Sequence, residues 1–371
     1  MKTENYKTVK LSDICTLEKG AQIDTSSLDD SNLYRYINGG IKESGYYFDF
    51  NTQGESVLIS EGGASCGYIN YVNEKFWCGC HCYRLHDIKI FPKYLFHALK
   101  ANQPRVMNLR TGSAMPNIQK SKIQNFKLNI QENPETQKHI AAVLDKCTAL
   151  IAKHKAMLEK YDTLVKSRFI EMFGENSTEN GKWKIEKLGN IGTCKNGMNF
   201  SYDENGIQIS CLGVSDFKDN SIVDCSALPK ISLNEPPSEE YLLQDEDIIF
   251  VRSNGNKELV GRSVIVYPKN PTTFSGFCIR YRKNYDNLNS IFLLRYLKTN
   301  YARKKMAGRG ANIQNLNQQI LSELQIPVPP LPLQEQFATF VRHIAKSKFV
   351  VKKSLEKCDI LYKALMQEYF L

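Results

Sequence analysis

The chain has 371 residues, and 49 Lys and Arg against 39 Asp and Glu give it a formal net charge of +10. This length, with 42% hydrophobic and 11% aromatic residues, excludes a disordered chain, a collagen and a disulfide scaffold, and it predicts two or more domains with cores of their own. The first ten residues are polar and no apolar run approaches the ~18 residues that span a bilayer, so we expect a cytoplasmic protein without a signal peptide, a transmembrane helix or membrane partner, and with reduced cysteines.

The first part of the chain is predicted to be a mixed α/β module. Alternating apolar and polar residues predict strands at Ser56 to Ser60 and at Lys75 to Leu85. A helix is predicted at about 92 to 108.

A long helix follows this module. Pro134 suits its first turn, and Glu135 favours the positive end of the helix dipole. The residues that recur at alternating spacings of three and four, as in the seam of a coiled coil, are Ile140, Leu144, Cys147, Ile151, His154, Leu158, Tyr161, Val165, Arg168 and Met172. The polar stretch after Phe173 has the composition of a linker and begins with a helix-stopping glycine.

The second part of the chain repeats this order. Strands are predicted at Asp247 to Val251 and at Gly261 to Tyr267, and a helix at about 290 to 306. The segment Ile326 to Pro332, IPVPPLP, cannot be helical and leads into a second long helix. Its seam lies at Phe337, Val341, Ile344, Lys348, Val351, Leu355, Cys358, Tyr362, Leu365 and Tyr369. Two matching seams favour antiparallel packing of the helices; the alternative is that each helix docks only on its own module.

Direct repeats show that the chain is a duplication. LEKYDTLVK at 158 to 166 matches LEKCDILYK at 355 to 363 in six of nine positions, and KLSDICTLEKG at 10 to 20 matches KLGNIGTCKNG at 187 to 197 in five of eleven. The predicted fold is therefore α+β, with two duplicated mixed α/β modules separated by two long antiparallel coiled-coil helices. The predicted boundaries are 1–132 for the first module, 133–174 for the first helix, 175–182 for a linker, 183–331 for the second module and 332–371 for the second helix.

Positive charge is concentrated in two stretches. Residues 88 to 131 contain eight Lys and Arg, residues 287 to 322 contain six, and neither stretch contains Asp or Glu. One such stretch is usually a solvated basic face. Two of them at comparable places in a duplicated chain favour a polyanion, because contacts to phosphates release counterions.

Motifs for catalysis or metal binding are weak. Asn234 to Ser238 only partly resembles the base-gripping motif of an adenine methyltransferase, and 255 to 263 departs from a phosphate loop in spacing and in its Arg262. Cys78, Cys80 and Cys82 alternate on a predicted strand and are better explained as buried thiols than as zinc ligands. We therefore predict no catalytic, cofactor-binding or metal-binding residues in this chain.

Two variable modules, each followed by a long helix, with the motif IPVPPLPLQEQ at Ile326 to Gln336, resemble the specificity subunit of type I restriction-modification systems. The first copy has a degenerate form of this motif at Leu128 to Gln137, and Tyr36 to Tyr46 resembles a common opening of the family's target-recognition domains. The resemblance covers nearly the whole chain.

The resemblance implies that each module is a target-recognition domain that reads one half of a split sequence in double-stranded DNA, and that the helices set the gap. It implies a non-catalytic subunit whose partners are two methyltransferase subunits and the restriction subunits. S-adenosylmethionine would be bound by the methyltransferase partner, which flips and methylates an adenine. The alternatives are an enzyme with a drifted motif, either a DNA methyltransferase or a nuclease, and a coiled-coil scaffold for proteins alone.

The candidate base contacts lie in loops after strands. They are Glu61, Gly62, Gly63 and Ser65 in the first copy, and Arg252, Ser253, Asn254 and Lys257 in the second. Arg binds guanine and Asn adenine, whereas Glu accepts from cytosine, so Glu61 against Arg252 predicts unlike half-sites; the alternative is that either side chain caps or pairs locally. The candidate phosphate contacts are Arg110, Gly112, Ser113 and Lys120, with Arg303, Lys304, Lys305, Arg309 and Gly310.

Overall fold

The computed structural model of the chain describes residues 6–112, 114–174, 181–199, 202–217, 221–307 and 316–371, without the side chains of 202–205 and 307. The chain divides into two compact units, one of Met1–Met157 with Val351–Leu371 and the other of Leu158–Val350. Each unit thus holds one module and a part of both long helices. The boundaries expected from the sequence, which treat each long helix as a separate segment, stay predictions.

The first unit contains three small sheets. Its strands are β1 (Tyr6–Lys10), β2 (Thr16–Lys19), β3 (Tyr34–Ile37), β4 (Gly45–Tyr47), β5 (Ser56–Ser60), β6 (Ile69–Val72), β7 (Phe76–Cys78), β8 (Cys82–His86) and β9 (Lys127–Gln131). The sheet orders are β2-β8-β5-β6, β4-β3-β7 and β1-β9. Its short helices are α1 (Leu11–Ile14), α2 (Pro92–Ala101), α3 (Gln103–Met107) and α4 (Lys120–Gln124), and the first long helix is α5 (Pro134–Phe173).

The second unit repeats this topology. Its strands are β10 (Lys184–Lys187), β11 (Gly192–Asn196), β12 (Tyr202–Leu212), β13 (Ile222–Val223), β14 (Lys230–Leu233), β15 (Ile248–Val251), β16 (Ser263–Val266), β17 (Thr272–Phe274), β18 (Cys278–Lys283) and β19 (Gln325–Val328). They form the sheets β11-β18-β15-β16-β13, β14-β12-β17 and β10-β19. The helices are α6 (Ser290–Leu297), α7 (Asn300–Ala307), α8 (Gln318–Ser322) and the second long helix α9 (Leu331–Phe370). Apart from the additional edge strand β13, the sheets have the same strand order as in the first unit, which reflects the duplication found in the sequence.

In both units, a buried glutamine joins the long helix to its module. Gln137, in the first turn of α5, accepts from the amide of Phe91 at 3.0 Å and donates to the carbonyl of Gln131 at 2.6 Å. Gln334 in α9 accepts from the amide of Asn289 at 2.9 Å, and it donates to the carbonyls at the end of β19 and before α6 at 2.7 and 3.0 Å. Each glutamine therefore satisfies backbone groups that would otherwise be buried without partners.

The two long helices run antiparallel within each unit. In the first unit, the beginning of α5 shares a core with the end of α9, through Ile140, Leu144 and Met366. In the second unit, the end of α5 meets the beginning of α9, where the rings of Phe169 and Phe337 are 5.4 Å apart. Every seam position predicted from the sequence is buried or half-buried. The spacing of apolar residues therefore identified the packed face of both helices.

Three predicted elements are each divided in two in the structure. The single strand predicted at Lys75 to Leu85 is two strands, β7 and β8, which belong to different sheets. The chain turns between them, since the amide of Gly79 donates to the carbonyl of Ile37 at 2.8 Å and the amide of Cys82 to that of Gly79 at 3.1 Å. Each helix predicted near 92–108 and 290–306 is likewise two helices with a short break.

A buried histidine bound to a partly exposed carboxylate fastens α2 to α5 in the first unit. The side chain of His97 is fully buried, its Nε2 lies 2.9 Å from Asp145, and Lys93 lies 3.0 Å from the same carboxylate. Burial lowers the pKa of His97 below its ordinary 6.5, against the opposing effect of Asp145. The neutral imidazole is therefore the form that the folded unit favours.

We expect the first unit to lose stability as the pH falls below 6.5. Below pH 6.5 the unfolded chain binds a proton at His97 that the folded unit, with its lower pKa, does not bind. The contribution of His97 to the free energy of unfolding is therefore fully present above pH 6.5 and is lost as the pH falls towards the folded pKa. Urea unfolding at pH about 7.5 and about 5.5 measures this, with Trp77 as the fluorescent reporter in a Trp183→Phe background. His97→Gln should reduce the pH dependence; an equal dependence in both proteins would contradict the assignment.

Candidate nucleic-acid interface

The loops that follow β5 and β15 are held in the same way in both units. The amide of Glu61 donates to the carbonyl of His81 at 2.8 Å, and that of Arg252 to the carbonyl of Phe277 at 2.8 Å. The carbonyls of Glu61 and Arg252 in turn each accept from an amide at 2.9 Å, that of Ile118 and of Leu316 respectively. Glu61 and Arg252 therefore occupy equivalent places, as the sequence register suggested.

The side chain of Glu61 does not point to solvent. Its side chain is 8% exposed, its carboxylate lies 2.7 Å from the ammonium of Lys19, and it accepts from the hydroxyl of Tyr83 at 3.0 Å. Burial, and then the bond to Glu61, raises the pKa of Tyr83 to about 12, so the hydroxyl stays a donor. This geometry favours the alternative that Glu61 pairs locally, because its acceptors are used inside the module; the group it holds at the surface is Lys19, which is 51% exposed.

The glycine loop after Glu61 packs against a second loop of the first module. Gly62 forms a bridge with Asn117, and the amide of Gly63 donates to the carbonyl of Pro116 at 2.9 Å. Gly63 has a φ of 76°, in the left-handed region that favours glycine. The two loops, with Lys19 beside them, form one surface of the first unit.

Most of the remaining candidates of the first module are exposed on or near this surface. Ser65 is half-buried, Gly112 adopts a φ of 90°, and Lys120 is exposed at the start of α4. Arg110 is exposed, and its charge opposes the effect of burial on the pKa of the Cys66 thiol, which places it near the glycine loop. Ser113 lies outside the described residues.

The loop of the second module is partly tied by its own side chains. The side-chain oxygen of Asn254 accepts from the amide of Asn256 at 2.9 Å. A bidentate contact to adenine uses both the oxygen and the nitrogen of the side-chain amide, so this bond competes with it. Arg252 and Ser253 are half-buried, and Lys257 is exposed. Arg252 therefore carries the strongest hydrogen-bonding group of this loop.

Helix α7 carries the basic candidates of the second module. Arg303 donates to the carbonyl of Val260 at 3.2 Å, and burial lowers its pKa, so it anchors the helix to the neighbouring loop and is less suited to a phosphate contact. Lys304 and Lys305 are exposed, and the ammonium of Lys305 lies 5.2 Å from the centre of the Tyr301 ring. Arg309 and Gly310 lie outside the described residues.

Lys19 was missed by the sequence analysis, and its counterpart is Asn196. Lys19 pairs with Tyr83 between β2 and β8, and Asn196 pairs with Ile279 between β11 and β18, at equivalent places in the two sheets. The signal was present in the repeat, because both residues directly precede the final glycine of the matched segments at 10–20 and 187–197. Lys19 thus lies beside Glu61 in the first module, and Asn196 takes the equivalent strand position in the second.

The cysteines that suggested zinc do not share a strand, since Cys78 ends β7, Cys80 lies in the turn and Cys82 begins β8. Cys78 and Cys82 are buried in one small apolar cluster. A hydrogen bond with Cys82, followed by burial, raises the pKa of the Cys78 thiol, which disfavours the thiolate that a metal requires. Within the described ranges, no group of three or more His, Cys, Asp or Glu is placed to hold a metal ion. In the same part of the chain, no helix is both long and apolar enough to span a bilayer.

Comparison with known proteins identifies the family. A model described as the type I restriction modification DNA specificity domain matches residues 3–160 and again residues 180–357. The chain therefore belongs to this family and contains two copies of its domain, which confirms the duplication.

Relatives in this family are specificity subunits by name. A putative type I specificity subunit of Mycoplasma genitalium is 26% identical over 187 residues, 50% of this chain and 49% of that protein. One of Mycoplasma pneumoniae is 30% identical over 143 residues, 38% of each chain. The chain thus spans half or less of the length of these two relatives. The specificity subunit of the StySPI enzyme of Salmonella potsdam is 26% identical over 336 residues, 84% of this chain and 72% of that protein.

A solved structure shares the fold. The crystal structure of the S subunit of a type I restriction-modification system from Mycoplasma genitalium superposes with a TM-score of 0.72 at 19% identity, covering 100% of this chain and 97% of the other. The predicted class, two mixed α/β domains with two long antiparallel helices, is confirmed.

Proposed function

We propose that this chain is the DNA-binding specificity subunit of a type I restriction-modification complex, and that each module reads one half of a bipartite target. The observation that carries the proposal is the pair of equivalent loops. The same backbone bonding holds Glu61 and Arg252, while the side chains offered beside them differ. A constant scaffold with variable polar groups suits base reading in the major groove.

The polar groups at the equivalent places favour unlike half-sites. In the first module Lys19 is a donor for guanine, whereas in the second Arg252 offers a bidentate contact to guanine and Asn196 suits adenine. Arg110, Lys120, Lys304 and Lys305 are the exposed cations that we assign to phosphates, where they fix the register of the module on the duplex.

The remaining activities belong to partners in this proposal. Both long helices expose large apolar side chains outside their seams, namely Leu150, Leu164, Phe349, Val350, Ile360 and Leu361. We assign these side chains to contacts with two methyltransferase subunits, which bind S-adenosylmethionine and methylate adenine, with restriction subunits joining for cleavage in the cytoplasm. The chain itself carries no catalytic role, so the isolated chain should neither methylate nor cut DNA when supplied with S-adenosylmethionine.

Exchanging residues 183–331 for the corresponding module of a relative should change one half of the recognised sequence only. The reason is that each module has its own core and its own loops. Mapping methylated adenines in DNA from cells carrying the chimaera, together with its methyltransferase subunits, measures the result. A change in both halves would refute independent reading by the modules.

Replacing Lys304 and Lys305 together by Ala should weaken DNA binding without changing the preferred sequence. Two lost phosphate contacts should make the dependence of log affinity on log salt shallower by about 1.8, at ~0.9 per contact. Fluorescence anisotropy with duplexes at several salt concentrations measures the slope. Lys346 and Lys352, exposed on α9, provide a control with the same charge change; equal slopes in the two double variants would oppose the assignment.

A further inference from the structure

A small cavity in the second unit is lined by three cationic side chains. It measures about 120 Å³ and lies between the last part of α5 and the junction of α6 with α7. Lys166, Arg295 and Lys298 line it, and Phe169 and Ile170 form an apolar wall. Roughly 10–15 Å³ of such volume already admits a water molecule, so the cavity has room for a tetrahedral oxyanion.

Two of these cations are held in a partly dehydrated place. The Nε of Arg295 is buried and has no hydrogen-bond partner among the described residues. Burial lowers the pKa of Arg295, and it lowers that of Lys298 to about 8, where the charge of Arg295 adds to the effect. Asp162 is the acid whose charge opposes the lowering of both pKa values. Its side chain is 71% exposed and already binds Lys348 at 2.6 Å. Lys298 donates to the uncharged hydroxyl of Ser221 at 2.8 Å, and the charges of Lys348 and Arg262 also lower its pKa, so cations outnumber acids at this place.

The equivalent place in the first unit is neutralised. Helices α2 and α6 begin equivalently, since the amide at the start of each is bound by the buried glutamine of its long helix. The residues whose amides are bound in this way, Phe91 and Asn289, are 198 positions apart. At that spacing Arg295 corresponds to His97, which is bound to Asp145. The counterpart of Asp145, at the displacement of 197 found between the long helices, is Arg342. In the sequence, arginines thus stand in the second copy where the first has His97 and Asp145.

We propose that the cavity formed by Lys166, Arg295 and Lys298 binds a phosphate group. Guanidinium and ammonium groups are the usual partners of phosphate, and the apolar wall strengthens their attraction by excluding water. The phosphate group has two possible sources. If it belongs to the DNA backbone, the site rests on the proposed function. If it belongs to free phosphate or a nucleotide, the site does not depend on that function.

Inorganic phosphate is the probe for the site itself. Calorimetric titration of the full chain at constant ionic strength should give saturable binding, and Lys166→Ala should weaken it by about tenfold or more. Lys160→Ala is the matched control, because Lys160 is exposed on the same helix of the same unit but is not part of the cavity lining. Since Lys166 is exposed, its replacement should leave the fold intact; Arg295→Gln is the second variant.

Absence of saturable phosphate binding by the wild-type chain would overturn the proposal, as would equal affinities in Lys166→Ala and Lys160→Ala. Adding duplex DNA separates the two sources. Competition between duplex and phosphate assigns the site to the DNA backbone, whereas independent binding assigns it to a free anion. A chain that binds phosphate at this site but binds no duplex would refute the proposed function and leave the site standing.

Discussion

Gln334→Ala should lower the free energy of unfolding of the second unit by about 3 kcal/mol, whereas Gln336→Ala should change it by less than about 0.5 kcal/mol. The amide of Gln334 is fully buried and bonds three backbone groups, and truncation leaves the amide of Asn289 and the carbonyls of Asn287 and Pro329 without these partners. Gln336 is exposed two residues further along the same helix and is the matched control.

Urea unfolding followed by tryptophan fluorescence measures this loss. In a Trp77→Phe background Trp183 reports on the second unit, because its indole donates to the carbonyl of Phe173 at the end of α5 at 3.4 Å. Gln137→Ala, read by Trp77, should show a similar loss in the first unit, since Gln137 makes the equivalent bonds. Comparable stabilities of Gln334→Ala and Gln336→Ala would mean that the amide network contributes little.

The long helices were predictable from the sequence because the signals that mark them are local. Each helix has a seam of ten positions. The IPVPPLPLQEQ segment places Gln334 where the end of β19, the beginning of α6 and α9 meet. Both signals are local, so residue spacing alone identifies them. The strand at Ser56 to Ser60 was predicted with its bounds for the same reason, as its residues lie between turn signals.

Features that depend on distant partners were not predictable in this way. The alternation from Lys75 to Leu85 continues through Gly79, yet the chain changes sheets there because Gly79 bonds to Ile37, far away in sequence. Glu61 was chosen for the chemistry of its carboxylate, but its partners, Lys19 and Tyr83, lie 42 and 22 residues away. Residue type indicated a polar loop, and only the fold decides which of these groups reaches solvent.

Lys19→Met should reduce discrimination at a base pair in one half-site by about 1–3 kcal/mol and leave the other half-site unchanged. The carboxylate of Glu61, which also accepts from the hydroxyl of Tyr83, binds the ammonium of Lys19, so this ammonium is a positioned donor rather than a freely rotating charge. Methionine keeps most of the side-chain length and removes the donor. Methylation mapping with randomised half-sites, using the chain with its methyltransferase subunits, measures the preference.

Glu61→Gln separates the reading of bases by Lys19 from a simple phosphate contact. The substitution removes the charge that positions Lys19 but keeps the ammonium group itself. Sequence preference in the same half-site should therefore fall. Affinity for unrelated DNA should stay the same or rise, because the net positive charge of the chain increases. If Lys19 only contacted a phosphate, Lys19→Met would weaken binding to every sequence equally and make the salt dependence shallower by about 0.9. Lys10, exposed on β1, supplies the control for loss of one positive charge from the same unit.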